Sequence, residues 1–588
     1  MLLLATKFAL PADRSSNTAI RSALTTKVEL NQDENLISGG HKSLKTDTAD
    51  NGRGSVWATL RGELEWPRGA ALTAAATATG ATAAAVVCAV VLRWFHLAAQ
   101  SLYVDEGQTN FAAGLSPANI LRFAQSSDHP PLYFLLEHYW VGLFGNSEYA
   151  LRSLSALFGT LSLPVFYLLA RKVLKESMAV AMAMWLFAFS MMQIWYSQEA
   201  RSYELGSFLA LVGVYALILF LEKRSVALFA TIVLSGAASL YTHNMMLFYL
   251  LALSVVWLTY PSERSWMQRM REVLLADTLA GVLYLPWVPS LLAQANVDVV
   301  QKGFWAPRPT VSTLLGTLRF VAGFNAEYLS WLPGRFLPIS SSTAWVLVAA
   351  GVSLLCATLL AGGLWRIAEA NRSTTISLLL YGLLPILAVF ALSQVTTPLF
   401  IDRIFTNSSV VVPIVFAYPL ALQKGRNGRM LYGFLGLVLA ATTALSGFGY
   451  LRNQQKDDWR GAITSLLRIP ERNRLIVFIP RMGEPLFDYY AQSSSAGGLD
   501  LAKIALPVSY LESFPPPRGG QIYSTHLNRL KLAVESGKYS EIDLLLSWEQ
   551  HDDPNETVLN YLSQVYIRGE EQQFSGVRFV RFMAPPLH

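Results

Sequence analysis

ALTAAATATGATAAAVVCAVVL, residues 71–92, runs for twenty-two positions without a charged side chain. Crossing the ~30 Å hydrocarbon core of a bilayer as a helix takes about 20 such residues. Backbone amides in lipid have to pair internally, so a run of this kind is a helix or part of a closed barrel. Its apolarity is continuous and not alternating, which excludes the barrel. Comparable runs follow at 151–170, 178–196, 204–221, 226–242, 244–260, 273–292, 342–364, 374–394, 408–422 and 430–449. The reading is an α-helical polytopic membrane protein with about eleven transmembrane helices. The pair 226–242 and 244–260 has almost no loop between its members, so a broken hairpin is an alternative there.

Composition agrees with this reading. Of 588 residues, 53% are hydrophobic and 15% charged, where soluble domains carry about 25% charge. The net charge of +6 is modest for the length, and the basic residues punctuate the apolar runs. A nucleic-acid binder concentrates them in one footprint, so no nucleic-acid partner is expected. The two cysteines, Cys88 and Cys356, lie inside apolar stretches and form no disulfide framework.

Three regions are expected: a disordered cytoplasmic tail at 1–69, a membrane domain at 70–450, and a soluble extracytoplasmic α/β domain at 451–588. In the last, 474–479, 542–547 and 577–582 read as strands, with helices near 459–468 and 523–535. Inner loops collect Arg171, Lys172, Lys175, Lys223, Arg224, Arg264, Arg269, Arg271, Arg366, Arg372, Lys424, Arg426 and Arg429. Outer segments carry chiefly Arg122, Arg201, Lys302, Arg308, Arg335 and Arg403. This positive-inside bias puts the loops 93–150 and 293–341 outside, and an odd span count puts the C-terminal region there too.

Chemistry concentrates on that outer side. Asp105 and Glu106 are adjacent, and neighbouring helical side chains diverge, so one carboxylate is free for proton abstraction while the other orients it. A solvated loop carboxylate is the plain alternative. His129 precedes Pro130-Pro131, which stiffen the chain and start a helix; it either binds a polar ligand or caps the turn. Gln198, Glu199, Arg201 and Tyr203 fall at a helix–loop–helix junction, where Glu199 and Arg201 are also readable as a simple ion pair. His243 and Arg403 reach the same side by topology, and the forked donors of arginine suit phosphate oxygens. Polar groups at span ends favour chemistry at the membrane face over passage through it, since transporters place them near midspan. The Asp-Glu pair leaves a divalent cation open as an option, but no ligand spacing closes a metal site.

Tyr103-Val104-Asp105-Glu106, His129-Pro130-Pro131-Leu132-Tyr133-Phe134, Glu148-Tyr149-Ala150-Leu151-Arg152, Ser155-Ala156-Leu157-Phe158-Gly159, Tyr196 to Tyr203 and Tyr241-Thr242-His243 occur in one order. That set resembles the polytopic GT-C glycosyltransferases, nearest to bacterial proteins of the dolichyl-phosphate-mannose mannosyltransferase type (glycosyltransferase family 39-like), over residues 70–450. The resemblance implies a polyprenyl-phosphate sugar donor, an acceptor hydroxyl on a glycan, lipid or protein, and multi-pass insertion in the inner or plasma membrane with an extracytoplasmic active site. It implies that Asp105 is the general base, that Glu106 organises the site, and that His129, Gln198, Glu199, Arg201, Tyr203 and His243 surround the substrate cavity. Arg403 departs from the pattern, being followed by Ile404-Phe405 where the family has tyrosine-leucine, so its phosphate contact is the weakest of these expectations. A flippase or transporter of lipid-linked saccharide and a noncatalytic assembly protein are the competing readings.

Overall fold

The computed structural model describes residues 68–586 except 128, 296–305, 324–341, 424, 453–455, 469–472, 493–500, 510–513 and 515–521. The expectation of a disordered tail at 1–69 falls almost entirely outside these residues, as do Lys302, Arg335 and Lys424 of the loop-charge comparison.

Among the described residues, seven helices are long and apolar enough to cross a membrane: 73–94, 148–174, 203–222, 266–294, 376–395, 402–421 and 426–452. The pair Ser177–Ala188 and Met191–Ser197, bent by 49° at Phe189-Ser190, makes an eighth if it counts as one span. This falls short of the expected eleven or so, and the difference has identifiable sources. Helices Val226–Thr242 and Met246–Thr259 have 17 and 14 residues, or about 26 and 21 Å at 1.5 Å per residue, short of the hydrocarbon thickness. The expected spans 342–364 and 374–394 lie on a single helix, Ser342–Val395. The stretch 365–373 between them contains neither glycine nor proline, so nothing local stops the helix.

The bundle interior is apolar, with Phe166, Phe187, Leu217, Trp257 and Ile414 fully or almost fully buried. Where polar side chains enter it, small residues make room. A Cβ on Gly159 would collide with Ser197, and this lets helix Glu148–Leu174 pack closely against Met191–Ser197.

After the last span the chain forms a small α/β domain. Its five strands are β1 (Arg474–Ile479), β2 (Ala502–Ala505), β3 (Glu541–Leu546), β4 (Ile567–Phe574) and β5 (Val577–Met583), in the order β2-β1-β3-β5-β4. The first three are parallel and the last two run antiparallel to their neighbours, with Val477 opposite Leu544 and Leu545 opposite Phe579. Three strands match the sequence reading within a residue. The exposed β4 and the short β2 carry too weak a hydrophobic pattern to be read in advance.

Strand alternation gives the sheet two faces. Leu475, Val477, Ile479, Leu544 and Phe582 pack under helices Asn528–Glu535 and Thr557–Val565. Ile476, Phe478, Leu545 and Phe579 pack under helices Trp459–Leu467 and Gly483–Gln492, in one cluster with Leu102, Leu151 and Ala200 of the membrane domain. The sheet thereby joins the first loop through a shared apolar core, so the C-terminal domain stands on the membrane face that carries Asp105.

Candidate active site

The site grows from a short helix, Val104–Ala113, with Tyr103 as its extended N-cap and Asp105 and Glu106 in its first turn. Successive residues on a helix diverge by about 100°. The two carboxylates accordingly face different surroundings.

Asp105 faces two arginines. Its Oδ2 lies 2.7 Å from Arg403 Nη1 and 4.0 Å from Arg201 Nη2. Arg201 Nη1 also donates to the Asp105 carbonyl at 3.1 Å. The Asp105 side chain keeps 25% of its surface exposed, and among the described contacts none is made to Oδ1. Burial pushes this carboxyl up, but Arg201 and Arg403 outweigh it and hold the group below the usual carboxylate range. Asp105 is thus ionised, with one oxygen anchored and one available.

Glu106 is fully buried and held on both oxygens. Arg152 grips it with both branches, Nε to Oε1 at 2.8 Å and Nη2 to Oε2 at 2.6 Å. Lys456 Nζ and the Ala200 amide also donate to Oε1, at 2.9 and 3.0 Å. The same guanidinium donates to the carbonyls of Leu97, Gln100 and Ser101. Burial opposes the charge on Glu106, yet the two cations hold its carboxyl down at about 2. Glu106 therefore binds several segments together and presents no open oxygen to a substrate.

The remaining predicted residues divide in the same way. His129 Nε2 stands 2.5 Å from Arg201 Nη2, so the ring is a neutral acceptor there, consistent with burial and the adjacent guanidinium lowering its pKa. Its ring is 5.1 Å from that of His243, which in turn is 5.7 Å from Tyr203, and Arg403 lies over Tyr203 at 5.7 Å. His129, Arg201, Tyr203, His243, Arg403 and Asp105 form one cluster. Gln198 points elsewhere: it donates to the carbonyls of Leu92 and Phe95 and so ties down the end of helix Arg68–Trp94. Glu199 accepts from Trp195 Nε1 at 2.6 Å and Tyr103 at 3.3 Å, and among the described ion pairs none joins it to Arg201. The simple Glu199–Arg201 pair is corrected accordingly, because Arg201 is claimed by Asp105 and His129.

Among the described residues, several buried polar atoms in the cluster find no protein partner: His129 Nδ1, Arg201 Nε and the Tyr203 hydroxyl. Buried polar atoms are ordinarily satisfied, so such a group marks a place for a ligand or water. The cluster residues also lie at or near the starts of helices Val104–Ala113, Tyr203–Glu222 and Met246–Thr259 and of the 3₁₀ segment Asp402–Val410. Helix starts carry partial positive charge and favour anions. With two arginines among them, the cluster suits a phosphate. It does not fit a divalent cation. Among the described residues no group of three or more His, Cys, Asp and Glu side chains stands ready to ligate one, and cations already engage Glu106 and one oxygen of Asp105.

Two residues of this network are not singled out as site residues by the sequence. Arg152 stands within a motif but reads as an ordinary helical residue. Lys456 lies 350 positions from Glu106, and no local pattern announces their contact.

Residues 128–289 match the family described as dolichyl-phosphate-mannose-protein mannosyltransferase. The crystal structure of ArnT from Cupriavidus metallidurans bound to undecaprenyl phosphate superposes with a TM-score of 0.52 at 11% identity, over 86% of this chain and 98% of that one. Its apo form gives 0.43 at 14% identity over the same shares. The Archaeoglobus fulgidus oligosaccharyltransferase complex with zinc and sulfate gives 0.43 at 13%, over 80% of this chain and 68% of that one. No curated protein matches in sequence. The first likeness shows a shared fold over most of both chains.

Proposed function

We propose that the protein transfers a sugar from a polyprenyl-phosphate donor to an acceptor hydroxyl at the non-cytoplasmic face of the membrane. The observation that carries this reading is the Asp105 carboxylate, a quarter exposed, anchored through one oxygen by Arg403 and flanked by Arg201, with no contact to its other oxygen among the described residues. The family match over residues 128–289 and the fold shared with a protein crystallised on undecaprenyl phosphate support it. The positive-inside bias supports the outward orientation.

In this mechanism the isoprenoid tail stays in lipid while the phosphate meets Arg201 and Arg403. The acceptor hydroxyl donates to Asp105 Oδ1. As its oxygen bonds to the anomeric carbon, the proton passes to Asp105. The bond from that carbon to the phosphate oxygen breaks, and the electron pair leaves on polyprenyl phosphate. Preorganised guanidinium groups stabilise the charge that develops there, which is often the largest catalytic contribution. A single displacement inverts the anomeric centre. Purified protein in lipid nanodiscs, given radiolabelled polyprenyl-phosphate sugars and a panel of glycan, lipid and peptide acceptors, is expected to release polyprenyl phosphate in step with glycosylated product. Protein that binds these donors but moves them across a bilayer without breaking the sugar–phosphate bond would refute the reading.

A further inference from the structure

Beside the candidate site, the two domains are joined through buried charge. Lys456 opens the C-terminal domain, and its side chain is buried among membrane-domain residues, donating to Glu106 Oε1 at 2.9 Å and to the Gln198 carbonyl at 3.0 Å. Its ammonium also lies 5.4 Å over the ring of Tyr103, the cap of the Asp105 helix. The backbone on either side is fixed as well. The Lys456 amide donates to Gln100 Oε1, and Ser101 Oγ donates to the Asp457 carbonyl at 2.5 Å.

The next two residues are held by the opposite party. The Asp457 carboxylate accepts from Ser547 and Trp548, both at 3.1 Å, at the end of β3. The Asp458 amide donates to the Ser575 carbonyl in the β4–β5 turn, and its carboxylate caps helix Trp459–Leu467 through the Gly461 amide. Gly576, at φ +67°, completes that turn, and a Cβ there would overlap the Asp457 carboxylate. Further along, Tyr490 accepts from the Leu102 amide at 2.7 Å, and a Cβ on Gly107 would sit 2.7 Å from Leu486. Three consecutive residues therefore connect the β-sheet to the turn that presents Asp105.

We propose that Lys456 is a positioning residue of the active site, and that through it the C-terminal domain sets the position of Asp105. This inference rests on the transferase reading. Burying an ammonium is costly unless it is paired and fully bonded, and an apolar residue would fill the same space between two packed domains. An ammonium here does something an apolar residue does not: it offsets Glu106 where that carboxylate adjoins Asp105, and it fixes the 100–106 turn against both Gln198 and the sheet. The charges acting on Asp105 are Arg201 and Arg403 as attractive ones and Glu106 and Asp457 as repulsive ones, with Tyr103, Tyr203, His129 and His243 as neutral rings of the same cluster. Without Lys456, Glu106 acts on Asp105 with less compensation.

The test uses the full-length protein in nanodiscs, with Lys456→Met and Lys456→Arg. For Lys456→Met, turnover is expected to fall about 10- to 100-fold, the scale of a small misplacement of a catalytic group. KM for the polyprenyl-phosphate sugar should stay within about twofold, because the lysine lies on the Glu106 side of the turn, away from the proposed phosphate chamber. The acidic limb of its pH–rate profile is expected to move to higher pH. Amide hydrogen exchange across 101–107 is expected to rise, while Lys456→Arg recovers most of the turnover and the protection. Should Lys456→Met fail to fold, Lys456→Gln takes its place in the same measurements. A folded neutral variant with wild-type turnover, pH limb and exchange overturns the proposal, and so does a loss confined to KM. Should the wild type transfer no sugar at all, the transferase reading falls, and the exchange comparison alone decides whether Lys456 holds the turn.

Discussion

The two ends of the helix bundle use the same kinds of charged residue in opposite ways. On helix Glu148–Leu174, Arg152 and Arg171 are nineteen residues apart, or about 28 Å, close to the thickness of the hydrocarbon. Arg152 has 2% of its side chain exposed and holds a fully buried Glu106. At the far end Lys172 pairs with Glu222 at 33% and 44% exposure, Arg224 is 66% exposed, and an open cavity of about 730 Å³ lies among Arg171, Lys172, Glu222 and Tyr260. Solvated charges such as Lys172 and Glu222 need no precise partner, whereas Glu272 is the exception at this end, buried and held by Arg264 and Arg224. At the Asp105 end Glu106, Arg152, Arg201 and Lys456 have left water and depend on defined neighbours. Evolution tolerates such a burden where a geometry has to be kept.

Replacing Asp105 by Asn keeps size and most hydrogen bonds but removes the proton acceptor. Sugar transfer is expected to fall by about 10²- to 10⁴-fold, the usual contribution of a positioned general base, with a thermal midpoint lowered by the loss of the anion between Arg201 and Arg403 but the protein still folded. Near-normal transfer from a folded Asp105→Asn protein would remove Asp105 from the reaction and erase the functional half of the contrast. Glu106→Ala should produce a different phenotype from the neighbouring position. It leaves Arg152 and Lys456 buried without their anion, at a cost of about 3–5 kcal/mol. A large drop in thermal midpoint and in folded yield is expected, and a stable Glu106→Ala protein would show that its network is dispensable.

The difference between those two carboxylates is only partly legible in the sequence. Helical geometry alone dictates that Asp105 and Glu106 diverge, and the apolar runs declare a polytopic helical protein. What decides which carboxylate is sealed and which stays open is contact with Arg152, Arg403 and Lys456, at separations of 46, 298 and 350 residues. No periodicity encodes such contacts. Adjacency in the chain groups Gln198 and Glu199 with Arg201, yet their side chains leave the junction toward Leu92 and Trp195. Apolarity reports that a segment is buried or in lipid, and gives no account of whether a 14-residue helix such as Met246–Thr259 reaches across, so the seven or eight spans found among the described residues do not confirm eleven.

Acid should separate the two carboxylates in a further way. Both are depressed in the folded protein. Such groups contribute stability that is complete above their unfolded values, near 3.8 and 4.5, and that is lost as pH falls through the folded ones. For Glu106 the window runs from about 4.5 down to about 2. Transfer that depends on ionised Asp105 is expected to persist to below pH 3.8 as long as the protein stays folded, with its acidic limb coinciding with loss of structure. A limb near neutral pH, measured with folding monitored in the same samples, would point to another group as the base.

The smallest expected effect lies at the opposite end of the bundle. Lys172→Ala removes an ion pair whose members are both substantially exposed. Water screens such a pair and its side chains give up rotamer freedom to form it, so its worth is about 0–1 kcal/mol. The thermal midpoint is expected to move by no more than a few degrees, and transfer should stay within about twofold. The far end also carries Arg171, Lys175, Lys223 and Arg224, so one lost charge leaves the loop bias intact. A Lys172→Ala protein as inactive as Asp105→Asn would mean that the two ends are coupled through the length of helix Glu148–Leu174, and the division between solvated and working charge would then fail.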